Sequence, residues 1–203
     1  MKGLLITVGI IAVLFTIFQI YITMSTNKTE SQPYTVISKE DEFEIRFYPA
    51  ATMATITSNA KSYKELGSSG FRKLAGYIFG GNNESKQIAM TSPVHMDIND
   101  SMSSMSFVMP SNYNAENLPK PTNSEVTLST TPEEYVAAIQ FGGFTSEEKI
   151  SKYTALLESS LKKSNISYYG HFRYLGYNPP YQLFGRKNEI IVSVNWDAAK
   201  PKQ

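Results

Sequence analysis

A chain of 203 residues with 19 Lys and Arg against 18 Asp and Glu carries a formal charge of +1 and lacks the basic excess typical of nucleic-acid binders. It contains no cysteine, which excludes disulfide scaffolds, thiolate zinc sites, iron–sulfur clusters and thiol nucleophiles. Its 13 Tyr and 11 Phe can build a core or line a pocket for a flat apolar ligand.

No charge occurs between Lys2 and Lys28. Residues 3–24, GLLITVGIIAVLFTIFQIYITM, would extend roughly 33 Å as a helix, enough to cross a bilayer. The apolar stretch exceeds the core of a secretory signal, and Ile22-Thr23-Met24 is a poor cleavage site, so an uncleaved anchor is expected over a cleaved signal. Flanking charge gives little on orientation. A single anchor at an extreme N-terminus places the rest of the chain on the extracytoplasmic side. The expected organisation is an anchor at 1–24, a polar linker at 25–33, one domain at 34–197 and a tail at 198–203.

Residues 34–48 alternate, with Phe43, Ile45 and Phe47 against Glu42, Glu44 and Arg46, which predicts a half-buried strand with Glu40-Asp41-Glu42 as its solvated edge. A second strand follows at 51–58. Ser62 and Glu65 form a capping box that opens a helix with Leu66, Phe71, Leu74, Tyr77 and Ile78 on its apolar face, ended by Gly80-Gly81. Strands are predicted at 86–98 and 106–109, then a loop at 112–123.

The pattern then recurs. Strands at 125–130 and 135–141 precede a box at Thr145–Glu148 and a helix carrying Ile150, Tyr153, Leu156, Leu157 and Leu161. Strands at 166–177 and 190–196 close the chain. The predicted fold is α+β: two strand-strand-helix-strand-strand units forming a distorted β-barrel flanked by two helices, behind an N-terminal transmembrane helix.

Chemistry is sparse. Alternation places His95 opposite the Met and Ile set and His171 beside Arg173, so both are read as solvated surface residues. No G-x-S-x-G elbow, phosphate loop or zinc-ligand spacing is present.

Residues 70–82 (GFRKLAGYIFGGN), 88–94 (IAMTSPV), 107–110 (FVMP), 140–143 (QFGG), 176–180 (GYNPP) and 185–190 (GRKNEI) follow one another in an order and spacing that closely resemble the SOUL haem-binding family. The resemblance covers nearly all of 34–196 and implies a similar duplicated fold. It implies an apolar cleft that holds haem or another tetrapyrrole non-covalently, between the first domain helix and the loop at 177–186. The matching ligand-binding positions are Arg72, Leu74, Ala75, Ile78, Tyr177, Tyr181 and Arg186, with Tyr181 where many members carry Trp. Neither histidine matches the axial ligand proposed for some members, which leaves His171 and His95 as the candidate iron ligands here. Partners would then be haem and, through 3–24, the membrane. The alternatives are a binder or sensor of another flat hydrophobic molecule and an enzyme acting on a tetrapyrrole.

Overall fold

The computed structural model describes residues 1–99 and 101–196; the expected tail at 198–203 and position 197 lie outside the described residues. Helix α1 (Lys2–Lys28) contains the whole uncharged run and continues one turn beyond it. Almost all of its surface is exposed, so it is long and apolar enough to cross a membrane, a property that signal sequences share. Only Gln19 and Ile22 are buried. The residues after it are packed rather than loose. Glu30 and Gln32 exchange backbone hydrogen bonds with Ser92, at 2.9 and 2.8 Å.

The remaining elements are β1 (Thr35–Lys39), β2 (Glu44–Tyr48), β3 (Ala51–Ser58), α2 (Tyr63–Ile78), β4 (Val94–Asp97), β5 (Ser103–Val108), β6 (Thr127–Thr131), β7 (Glu134–Gly142), α3 (Glu147–Lys163), β8 (Tyr168–Gly176) and β9 (Lys187–Val194). All nine strands join one curled sheet in the order β1-β2-β7-β9-β8-β4-β5-β3-β6, and every pairing is antiparallel. The duplication is visible in that order. Read outward from the central β4–β8 pair, β4-β5-β3-β6 on one side mirrors β8-β9-β7-β2 on the other. The first strand of each unit pairs with the second strand of the other unit, which makes the two halves interdependent.

Several local expectations are corrected. The strand expected at 34–48 is a hairpin, β1 and β2, turned at 40–43. Glu42 is therefore not on a solvated strand edge: it sits in this turn and accepts a hydrogen bond from the Ser160 hydroxyl of α3. The strand expected at 86–98 is continuous only over Val94–Asp97, because the chain before it is committed to the Ser92 bonds and to an isolated bridge between Phe79 and Gln87. Helix α2 opens as expected, with Ser62 Oγ accepting from the Glu65 amide at 3.1 Å. Helix α3 is capped by Ser146, one residue after the expected Thr145, with Ser146 Oγ accepting from the Lys149 amide at 3.3 Å. Glu147 and Glu148 then occupy its first turn and Lys162 and Lys163 its last, signs that suit the helix dipole at both ends.

The two helices cover one face of the sheet. Ala137, Ile139, Ile190 and Val192 point toward them into the main core with Leu66, Leu74, Ile78, Leu157 and Leu161. Their strand neighbours Val136, Ala138 and Ile191 point the other way and join Tyr48 and Leu175 in a smaller cluster on the opposite face, as the two-residue period of a strand requires.

Candidate functional site

Helix α2 packs its inner side over β3 and β5. Leu74 and Ile78, on that side, are 0% and 1% exposed. Both therefore belong to the core and present no surface to a ligand, which corrects their expected place on a cleft wall. The outer side of α2 is different. Phe71, Arg72, Gly76 and the capping residue Phe79 are exposed and Ala75 is half-buried, a spacing that aligns them along the helix. Phe79 is 64% exposed, and the Phe71 ring packs edge-on against Phe107 at 5.3 Å. A side chain at Gly76 would meet no atom within 4 Å. Arg72 pairs with no acid among the described residues, whereas Lys73 is bound to Glu125 at 2.6 Å. The strip is thus flat and apolar, small in the middle, with one unpaired cation beside it.

The loop at 177–186 does not share this surface. Tyr181 is exposed beside α1. Arg186 turns inward: its Nη1 donates to the Pro179 and Gln182 carbonyls, each at 2.7 Å, and its guanidinium lies 4.5 Å from the Phe144 ring centroid. Tyr177 enters a buried polar cluster on the face opposite the helices. There Arg46 and Glu189, 3% and 0% exposed at their side chains, form a two-pronged ion pair at 2.9 and 3.0 Å. The Tyr177 hydroxyl donates to Glu189 at 2.6 Å, Lys187 approaches Glu189 at 3.1 Å, and the Tyr34 ring lies 4.3 Å from the Arg46 guanidinium. Burial alone would push the Glu189 carboxyl up; the hydrogen bonds and charge of Arg46, with help from Lys187 and Tyr177, hold it below its ordinary value. Burial and then the Glu189 charge push the Tyr48 phenol up to about 12.

Alongside this cluster on the same face is a groove of about 310 Å³ lined by Met53, His95, Asp97, Ser106, Glu134 and Arg173. Arg173 grips both oxygens of Glu134 at 2.9 and 2.7 Å, and Ser193 donates to the same carboxylate at 2.7 Å. His171 Nδ1 is 3.6 Å from Asp97 Oδ2, while Asp97 Oδ1 is buried without a hydrogen-bond partner. His95 is not the solvated residue expected. It is 7% exposed, with Nε2 2.8 Å from Gln32 Oε1, because the segment after α1 lies across it. Burial, and then the charge of Arg173, lower its pKa to about 3. With its charges matched in pairs, the groove is suited to hydrogen-bonded recognition of a polar molecule.

The buried imidazole carries a stability consequence. A histidine that titrates near 6.5 when unfolded and near 3 when folded leaves the unfolded chain holding the extra proton between those values. Its neutral-state stabilisation is therefore complete above pH 6.5 and is lost as the pH falls toward 3. At pH 5 the expected loss is about 2 kcal/mol. Denaturant melts of wild type and His95→Gln at pH 7 and pH 5 should show a smaller acid loss in the variant; equal losses would contradict the burial of a neutral ring.

Sequence reading missed Arg46, Glu189, Glu134 and Asp97. One signal was present: Glu189 is a lone carboxylate at the head of the apolar run Ile190-Ile191-Val192, where only a paired charge can be buried. Its partner is 143 residues away.

A family model described as SOUL heme-binding protein matches residues 29–193. Heme-binding protein 1 of Xenopus laevis is 31% identical over 156 residues, 73% of this chain and 81% of that protein. Heme-binding protein 2 of Homo sapiens is 29% identical over 73% of this chain and 76% of its own length. Among solved structures, the C-terminal domain of EcmrR superposes with a TM-score of 0.57 at 8% identity, covering 81% of this chain and 99% of that one. A hydrolase from Listeria innocua gives 0.55 at 8% identity, over 78% and 94%. Those two likenesses show a shared fold.

Proposed function

Because the chain belongs to the SOUL heme-binding protein family, we propose that it is a membrane-tethered, extracytoplasmic binding protein that carries, buffers or delivers haem or a related tetrapyrrole. The match of the family model across residues 29–193 carries this reading. The exposed, apolar α1 supports the tether.

The outer strip of α2 fits such a ligand. Phe79, Ala75 and the open space at Gly76 accept a flat ring, and Arg72 offers a forked cation to a propionate. When bound, haem supplies a large apolar face, two carboxylates and an iron. No imidazole lies on the strip: both histidines are on β4 and β8 and reach the groove on the other face. Binding is therefore by surface contact and charge, with no histidine on the iron.

That absence favours a second reading, in which other flat hydrophobic anions share the site. Ferric haem titrated into detergent-solubilised full-length protein should give a saturable Soret change at about one equivalent per chain. Metal-free protoporphyrin IX should compete with similar affinity, since nothing is lost with the iron. No saturable change would defeat the tetrapyrrole reading; haem binding that protoporphyrin cannot displace would place an iron ligand where none is expected.

A further inference from the structure

The loop between β8 and β9 is bound to α1 at an unusual level. Gln19 Nε2 donates to the Tyr181 carbonyl at 3.2 Å, and the Leu183 amide donates to Gln19 Oε1 at 3.0 Å. Thr26 donates to Gln182 Oε1 at 2.8 Å. Gln19 lies five residues before the end of the uncharged run, about 7.5 Å along the helix axis. A bilayer core about 30 Å thick takes up nearly the whole of that run. The loop tip is therefore fastened to α1 at the depth where hydrocarbon meets headgroups.

Its construction suits that depth. Residues 177–185, YNPPYQLFG, carry no charge. Tyr181, Leu183 and Phe184 point outward, 58%, 39% and 66% exposed. The backbone polar groups between them are satisfied from within. Gln19 serves Tyr181 and Leu183, Gln182 Nε2 donates to the Phe184 carbonyl at 2.9 Å, and Arg186 serves Pro179 and Gln182. A segment leaving water must meet this condition, and an ordinary surface loop need not. Conversely, the Gln19 amide, which lipid could not satisfy, finds both partners in this loop.

We propose that Tyr181, Leu183 and Phe184 form a second membrane contact, inserted into the bilayer interface beside α1, which fixes the domain's orientation on the lipid surface. This rests on the reading of α1 as a retained membrane anchor. The occupant is lipid, because the patch is continuous with the apolar surface of α1 and has aromatic side chains at the level where such residues anchor to interfaces.

The natural chain has no cysteine, so single cysteines can be spin-labelled without background. Full-length Phe15→Cys, Phe184→Cys and Tyr169→Cys, labelled with a nitroxide in phosphatidylcholine–phosphatidylglycerol vesicles, report α1, the loop tip and the far end of β8. Tyr169 lies about 25 Å along the strand from Tyr177. Collision rates with oxygen and with a water-soluble nickel chelate are read at each. The expected oxygen-to-nickel ratio at 184 is several-fold above that at 169 and approaches that at 15. A lipid-like ratio at 15 with a 169-like ratio at 184 overturns the proposal and leaves the anchor standing. A water-like ratio at 15 overturns both. A label at 184 shielded from both reagents indicates a protein partner or a second copy and overturns the lipid assignment.

Discussion

Arg46→Met should lower the stability of the domain by about 3 kcal/mol at pH 7, a fall in Tm of about 10 °C. Glu189 is wholly buried, and Arg46 bonds both of its oxygens. Removing the guanidinium leaves a buried carboxylate with the Tyr177 hydroxyl and one half-exposed amine, Lys187. That residual pairing puts the expected cost at the lower end of the range for a broken buried ion pair. The pH dependence gives a second readout. In wild type the depressed Glu189 pKa contributes stability that is present above its unfolded value of 4.5 and is lost as the pH falls through the folded value. In Arg46→Met, burial without its cation raises that pKa instead, so the carboxyl is protonated more readily and the deficit should narrow below pH 5. Adding Glu189→Gln to Arg46→Met should recover part of the loss at pH 7. Thermal melts at pH 7 and 4.5 check both points; a change under about 0.5 kcal/mol would mean that the pair contributes no more than a surface salt bridge.

Leu74→Glu should abolish cooperative folding, since it forces a carboxylate into the main core at a site with 0% exposure. Leu74→Ala at the same site should keep the fold and cost about 2–5 kcal/mol, the usual range for emptying a packed leucine site. The contrast matters for function. Loss of ligand by Leu74→Glu would report an unfolded chain rather than a vacated site. A folded Leu74→Glu protein, judged by near-UV circular dichroism and a sharp melt, would show that this position faces a cavity after all.

What could be read from sequence alone was local. Alternation at Ala137, Ile139 and Phe141 located β7, and Ser62 with Glu65 located the start of α2, because strand period and capping act between neighbours. The β1–β2 hairpin was hidden because its turn, Glu40-Asp41-Glu42-Phe43, has no Gly, Pro or Asn, and its charges read as one side of a continuous strand. The exchange of first strands between the two units had no local signal either. Pairing of β2 with β7 and of β6 with β3 is decided by which sheet edges meet in the folded chain. The same holds for the polar face. His95 was assigned to solvent because nothing near it in sequence covers it, while Gln32, 63 residues earlier, does so in space.

On α2 the family resemblance found the right helix but could not say which side of it was open. A period of 3.6 puts Leu74 and Ile78 on one side and Arg72, Gly76 and Phe79 on the other, yet only packing on β3 and β5 shows which side is buried. Gly76→Glu exploits that asymmetry. The position is exposed in a helix, a side chain there meets nothing within 4 Å, and glycine is the poorer helix former, so the variant should fold at least as well as wild type. It places a carboxylate at the centre of the proposed ring-binding strip, against a ligand that is itself anionic. The decisive measurement is a ferric haem titration of full-length wild type, Gly76→Glu and His171→Ala. The expected result is saturable binding by wild type and His171→Ala with similar affinity, and at least a tenfold loss in Gly76→Glu, about 1.4 kcal/mol. Wild-type affinity in folded Gly76→Glu, or a Soret band abolished by His171→Ala, would place the ligand elsewhere and contradict binding on the outer face of α2.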